Sequence, residues 1–113
     1  MKTKKVINDI KQWFKKNESF LENELLTCWN NDEYIIKGYD ISKELKPYIL
    51  MVYPVDDAPT LADNRWEICC DVYPYNETDD FGYDDMIVDG YSKNGIVDAI
   101  IEAVTKLDLQ QER

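Results

Sequence analysis

The chain contains no histidine. That absence removes the usual general base and the usual partner of a serine or cysteine nucleophile. It also removes the commonest zinc ligand. Three cysteines, Cys28, Cys69 and Cys70, lack any CxxC spacing and cannot close a structural zinc site. Four glycines stand singly, so there is no glycine-rich loop to cradle a phosphate. No apolar run is long enough to cross a bilayer. The N-terminal lysines are not followed by the apolar stretch of a signal peptide. From these absences we expect a cytoplasmic protein that is not an enzyme, needs no cofactor and meets no membrane. The cysteine count is odd. In a strand the adjacent Cys69 and Cys70 point to opposite faces, so all three are expected to be reduced thiols.

Basic residues are missing from one long stretch. The 27 residues 66–92 hold no Lys and no Arg. They hold eight carboxylates: Glu67, Asp71, Glu77, Asp79, Asp80, Asp84, Asp85 and Asp89. Tyr73, Tyr75, Phe81, Tyr83 and Tyr91 are threaded among them. Across all 113 residues, 13 basic side chains face 23 acidic ones, a net charge of -10. The imbalance is itself uneven. Six of the lysines fall in residues 1–16, beside the lone acid Asp9. Such an acidic chain repels a nucleic-acid duplex and an anionic membrane, so direct nucleic-acid binding is not expected. It attracts basic proteins, basic peptides and cations.

The length fits one α+β domain over residues 1–113, and 44% hydrophobic residues are enough for one modest core. Residues 3–16 read as a helix, because Val6, Ile7, Ile10, Trp13 and Phe14 form one apolar stripe at helical period. Thr3 is the expected N-cap and Asn17 the C-terminal stop. The lysines are expected on the solvent side, with Trp13 and Phe14 as core anchors. Residues 19–27 read as a short second helix opened by a Ser19/Glu22 capping box, with a strand over 24–29 as the alternative.

From Tyr34 the period changes. Residues 34–41 read as a strand with Gly38 at a bulge, and 42–46 as a polar turn. Pro47 opens the next strand, Tyr48 to Tyr53, which is apolar on both faces and therefore central. Residues 54–64 read as a surface loop. The alternation of Trp66, Ile68, Cys70 and Val72 against Arg65, Glu67, Cys69 and Asp71 marks a third strand. Residues 74–84 read as an acidic connection and 85–91 as the last strand, with Val88 and Asp89 on opposite faces. Asn94 is the expected N-cap of a final helix with an apolar stripe of Ile96, Val97, Ile100, Ile101, Val104 and Leu107, and Glu102 and Lys106 pair on its outer side. The fold expected is a four-stranded antiparallel sheet with the N-terminal and C-terminal helices, plus the short second helix, packed on one face. The opposite face is then open, and Glu67, Asp71 and Asp89 fall on it.

The acid cluster has two chemical readings. As a calcium loop it fails the EF-hand template: with Gly82 at position six Phe81 takes position five, and with Gly90 there Ile87 takes position three. An irregular divalent-metal site from Asp79, Asp80, Asp84 and Asp85 remains as the alternative function, as does a subunit that dimerises through the open face. As a surface, the cluster suits a basic partner. Same-face carboxylates recur every ~6.8 Å along a strand, so a row of them imitates a phosphate backbone. The expected partner-binding set is Glu67, Asp71, Glu77, Asp79, Asp80, Phe81, Tyr83, Asp84, Asp85 and Asp89, with Phe81 and Tyr83 as anchors. The expected partner is a basic nucleic-acid-binding protein such as a nuclease, and the chain a monomer or a homodimer.

In size, charge and layout, carried by the acids and aromatics of residues 67–91, the chain resembles the small acidic inhibitors of phages and mobile elements, such as anti-CRISPR and anti-restriction proteins. It equally resembles the immunity proteins that neutralise nuclease toxins. Either resemblance implies an inhibitor whose acidic surface occupies the basic groove of a nucleic-acid-handling enzyme and excludes its substrate.

Overall fold

A computed structural model describes residues 2–17, 34–54, 67–75 and 85–111. Helix α1 spans Thr3–Lys16. Strand β1, Tyr34–Lys37, runs straight into a single helical turn, α2, at Gly38–Ile41, and a 3-10 turn follows at Lys43–Leu45. Strands β2, Tyr48–Pro54, β3, Ile68–Pro74, and β4, Val88–Ser92, lead to helix α3, Ile96–Gln111. The four strands form one antiparallel sheet in the order β1-β2-β3-β4. The expected short helix over 19–27 lies outside the described residues.

The helical stripe of α1 is where its spacing placed it. Val6, Ile10 and Phe14 are buried, and Trp13 packs beside them with its ring edge-on to Phe14, centroids 4.9 Å apart. The six lysines of this segment are all exposed. Asn17 ends the helix: its backbone N–H and its Nδ2 both donate to Trp13 O, at 3.1 and 2.7 Å. Thr3 is not the cap. It is the first helical residue, and its hydroxyl donates instead to Asp108 at the far end of α3. The start of the first helix is thus tied to the last.

Period-two alternation divides the sheet. Ile36, Leu50, Val52, Ile68, Cys70, Val72 and Val88 face the helices and join Val6, Ile10, Phe14 and the buried side of α3 in one core. Full burial of an aliphatic side chain contributes about 1.5–3 kcal/mol, so this shared core dominates stability. Helix α3 lies on β3 and β4, and α1 packs against α3. The approach of α3 to β4 is very close at Gly90, where an added Cβ would stand 2.5 Å from Ala103 N and 2.6 Å from Ala99 O. Ala99 and Ala103, fully buried, are the small residues that permit it.

Several boundaries differ from the sequence reading. The last strand, expected over 85–91, is Val88–Ser92, and the third strand begins at Ile68 among the described residues, with Glu67 just before it. The strand from Tyr34 stops at Lys37 because Gly38 turns the chain inward, and a Cβ there would meet Leu45 O. No bulge is made. Helix α3 starts at Ile96 with Gly95, not Asn94, in the capping position: Gly95 O accepts the Ala99 N–H and Gly95 has φ +107°. Asn94 instead donates its N–H to Ser92 Oγ.

The two glycines make a test. Gly90→Ala is expected to destabilise by about 2–3 kcal/mol, because backbone on α3 must move. Gly95→Ala meets open space and is expected to cost only about 1 kcal/mol, for its positive φ. Urea denaturation of both variants checks the order, and equal losses would refute the close helix–strand contact.

Candidate functional site

The face of the sheet turned away from the helices carries, by alternation, Ile35 and Lys37 of β1, Ile49, Met51 and Tyr53 of β2, Cys69, Asp71 and Tyr73 of β3, and Asp89 and Tyr91 of β4. Glu67 continues the β3 series. Register then sets neighbours: Ile35, Met51, Asp71 and Asp89 form one row across all four strands, and Tyr53, Cys69 and Tyr91 form the next. Asp71 and Asp89 therefore do share a side, as expected, and stand directly opposite each other on adjacent strands.

The centre of this face is not open. Ile49 is 0% exposed, Tyr73 4%, Met51 6% and Asp71 7%. The expectation of a bare sheet face is thus wrong, and Asp71 is not a free contact charge. Only the ends of the central row are accessible, at Ile35 and Asp89. Such burial fits the sequence of β2, whose two faces are equally apolar.

A carboxylate inside a sheet requires compensation. Tyr53 Oη donates to Asp71 Oδ2 at 3.0 Å, a diagonal reach from the neighbouring strand. Burial nevertheless raises the Asp71 pKa, against the lowering effect of the Tyr53 hydrogen bond, and the facing Asp89 raises it further. Burial and the Asp71 charge together hold the Tyr53 phenol protonated far above its ordinary range, which keeps it a donor. Cys69, half-buried beside them, has its thiol pushed up chiefly by burial. Cys70, on the core side, is pushed up more strongly by the same cause. Both thiols are free, as their alternation implied, and neither is activated as a nucleophile.

The remaining acids separate into two groups. Glu67 is half-buried, and Asp85 and Asp89 are exposed. Glu77, Asp79, Asp80, Phe81, Tyr83 and Asp84 lie outside the described residues. Among the described residues, the ion pairs join Lys5 to Asp9 and Glu44, and Lys106 to Glu102. None involves Glu67, Asp71, Asp85 or Asp89. Lys106 does reach β4, but its Nζ donates to the backbone carbonyl of Asp89 at 3.0 Å. That contact occupies the outer edge of β4, where a free carbonyl would invite another strand. Among the described residues no group of Cys, Asp and Glu is placed to hold a metal ion. None of the described helices is long and apolar enough to cross a membrane.

An aromatic pair escaped the sequence reading. Tyr39 of α2 and Tyr75, just past β3, are both exposed and meet edge-on at 6.0 Å between centroids. Lys37 Nζ lies 5.9 Å from the Tyr39 ring. Tyr75 was visible among the acids, but Tyr39 sits in a helical turn that the strand reading of 34–41 concealed. No family model matches the chain, and neither curated proteins nor solved structures give a match.

The buried carboxylate makes stability depend on pH in a definite direction. Folding raises the Asp71 pKa, so the native state holds that proton more tightly than the unfolded chain. The resulting stability is full below the unfolded value near 3.8 and is lost as pH rises through the folded pKa. Asp71→Asn keeps a carbonyl for Tyr53 and removes the charge. It is expected to abolish that loss and to leave the protein more stable than the parent at neutral pH. Tyr53→Phe is expected to cost about 1–2 kcal/mol at the same pH. Urea midpoints from acid to neutral pH decide the matter; an Asn variant less stable than the parent at neutral pH would contradict the assignment.

Proposed function

We propose that this is a small acidic binding protein that inhibits a nucleic-acid-binding enzyme, a nuclease or a CRISPR effector, by occupying its basic groove as a nucleic-acid mimic. The observation that carries the reading is the uncompensated state of the acids. Lysines are available, yet Lys5 serves Asp9 and Glu44, and Lys106 serves Glu102. Glu67, Asp71, Asp85 and Asp89 keep no cation among the described residues. Leaving like charges gathered without partners does nothing for folding, whereas it suits a surface that meets basic side chains.

Charge of this kind acts mainly on the encounter. Exposed carboxylates attract a basic groove over a Debye length and raise the association rate, with steep salt dependence. Aromatic side chains supply the contacts that slow dissociation. Phe81 and Tyr83 remain the proposed anchors from the acidic connection, and the exposed Tyr39–Tyr75 pair adds a second aromatic patch. Asp85 and Asp89 are the proposed contact charges among the described residues, with Asp79, Asp80 and Asp84 beside them in the chain.

The test begins with a partner captured on the immobilised chain. Asp79, Asp80, Asp84 and Asp85 are replaced together by Asn. The association rate constant is expected to fall about tenfold or more at low salt, and nucleic acid is expected to compete for the same partner. Unchanged affinity, or a partner that keeps its nucleic acid while holding this chain, would remove the proposal.

A further inference from the structure

The lysines of α1 form the most strongly basic feature among the described residues, and folding leaves most of them unused. At about 100° per residue, Lys4, Lys11 and Lys15 fall within roughly 40° of one another around the helix and span about 16 Å along it. Asn8 and Gln12 border the arc, about 40° and 80° round from Lys4; all five residues are exposed. The arc therefore offers ammonium and amide donors with no carboxylate among them. Among the described residues, the acids beside α1 are already engaged on its flanks. Lys5 Nζ donates to both Glu44 carboxylate oxygens at 3.1 Å and lies 3.6 Å from Asp9. The buried Ser42 hydroxyl stands 2.9 Å from Asp9 and 2.8 Å from Glu44, with one proton for the two. Asp108 accepts from Thr3. Lys4, moreover, sits in the first helical turn, where the macrodipole disfavours a cation.

We infer that the outer face of α1 is a second interaction surface, one that takes the phosphodiester backbone of a nucleic-acid strand. The net charge of the chain argues against this only if the charge is treated as an average. Carboxylates of the far sheet face lie across the sheet and the core from α1. Their repulsion is felt only within a Debye length, on the order of 20 Å at 20 mM salt and about 8 Å at physiological ionic strength, and sheet, core and helix stand between. What selects the ligand is the source of the driving force. Exposed lysine–carboxylate pairs contribute about 0–1 kcal/mol each, too little for three of them to hold a second protein against the cost of association. A nucleic acid carries condensed counterions, and their release drives binding even to a few lysines. A membrane surface would favour apolar side chains to insert, and the arc has none. This surface does not depend on the inhibitor reading, since it is tested without any protein partner.

The experiment measures fluorescence anisotropy of a labelled single-stranded oligonucleotide titrated with the full chain at about 20 mM salt. Three phosphate contacts predict a log–log salt slope of about -2, so affinity is expected to fall roughly thirtyfold by about 100 mM salt. The K4Q/K11Q/K15Q variant, altered only at exposed positions, is expected to bind about tenfold more weakly or worse. Lys93→Gln, an exposed lysine outside the arc, is expected to change nothing. No binding at low salt overturns the proposal. So does a triple variant that binds like the parent. Preferential binding to phosphatidylserine vesicles, or lysine-dependent self-association in sedimentation, would assign the surface to a different ligand and also overturn it.

Discussion

The alternation of side chains along β3 keeps the two charges of this protein apart. Ile68, Cys70 and Val72 point to the helices, so Glu67, Cys69, Asp71 and Tyr73 must point the other way. Helix α1 buries Val6, Ile10 and Phe14 in the first of those sides and turns its lysines to water. The core thus stands between the basic and the acidic surfaces. A one-residue slip in β3 would exchange its two sets of side chains and bring Asp71 into the helical layer. The core residues forbid that slip, and so they fix the electrostatics as firmly as they fix the packing.

Asp71 shows what this arrangement costs. Its position in the β3 series demands that it share a row with Met51 and face Asp89, and the protein answers with a phenol in place of a cation. A lysine near Asp71 would have stabilised it more directly. Tyr53 offers one hydrogen bond and leaves the charge uncancelled, so burial keeps the Asp71 pKa raised above the ordinary aspartate value. Glu44 shows the opposite solution in the same molecule. The Ser42 hydroxyl and Lys5 pull its pKa down to about 2, and their contacts pin α1 to the turn that follows β1. Neutralisation is used where α1 meets that turn, and among the described residues Asp71 has no cation beside it.

Much of the architecture was legible because it rests on periodicity. The α1 stripe, the strand at residues 68–74, the opposite faces of Val88 and Asp89 and the stripe of α3 are all matters of spacing, which sequence records directly. Two readings failed for reasons of tertiary contact, and one contact gave no sign. Gly38 suggested a bulge, but it ends β1 because the returning turn presses Leu45 O where a side chain would be. Thr3 fits a cap by composition, but Asp108, 105 residues away in sequence, claims its hydroxyl. The buried alanines of α3 carry no hydrophobic signal strong enough to announce the approach to Gly90. Of the expected acidic face, alternation placed Asp71 and Asp89 on one side correctly, and only the burial of Ile49, Met51 and Tyr73 showed that the surroundings of Asp71 are closed. Tyr53 could not have been paired with Asp71 from sequence, since that pairing depends on the β2–β3 register.

The doubly buried sheet also narrows where the molecule can be touched. A surface made of a whole sheet face would have presented Asp71 at its centre, with affinity spread over many residues. With that centre closed, access falls to the rim: Asp89 and Asp85 at the β4 side, Ile35 at the β1 side, and the Tyr39–Tyr75 pair at the end of β3. Rim charges govern rate and salt dependence more than final affinity. Under the proposed function, affinity then has to come from apolar contact, for which the exposed Tyr39, Tyr75 and Ile35 are the candidates among the described residues. The buried Asp71 contributes through the field it adds behind Asp89, because a second carboxylate on the facing strand deepens the local potential without being touched. A row in which one charge is reachable and its neighbour is shielded from solvent screening is a stronger attractor than two equally exposed carboxylates would be, since the shielded charge loses less of its field to water.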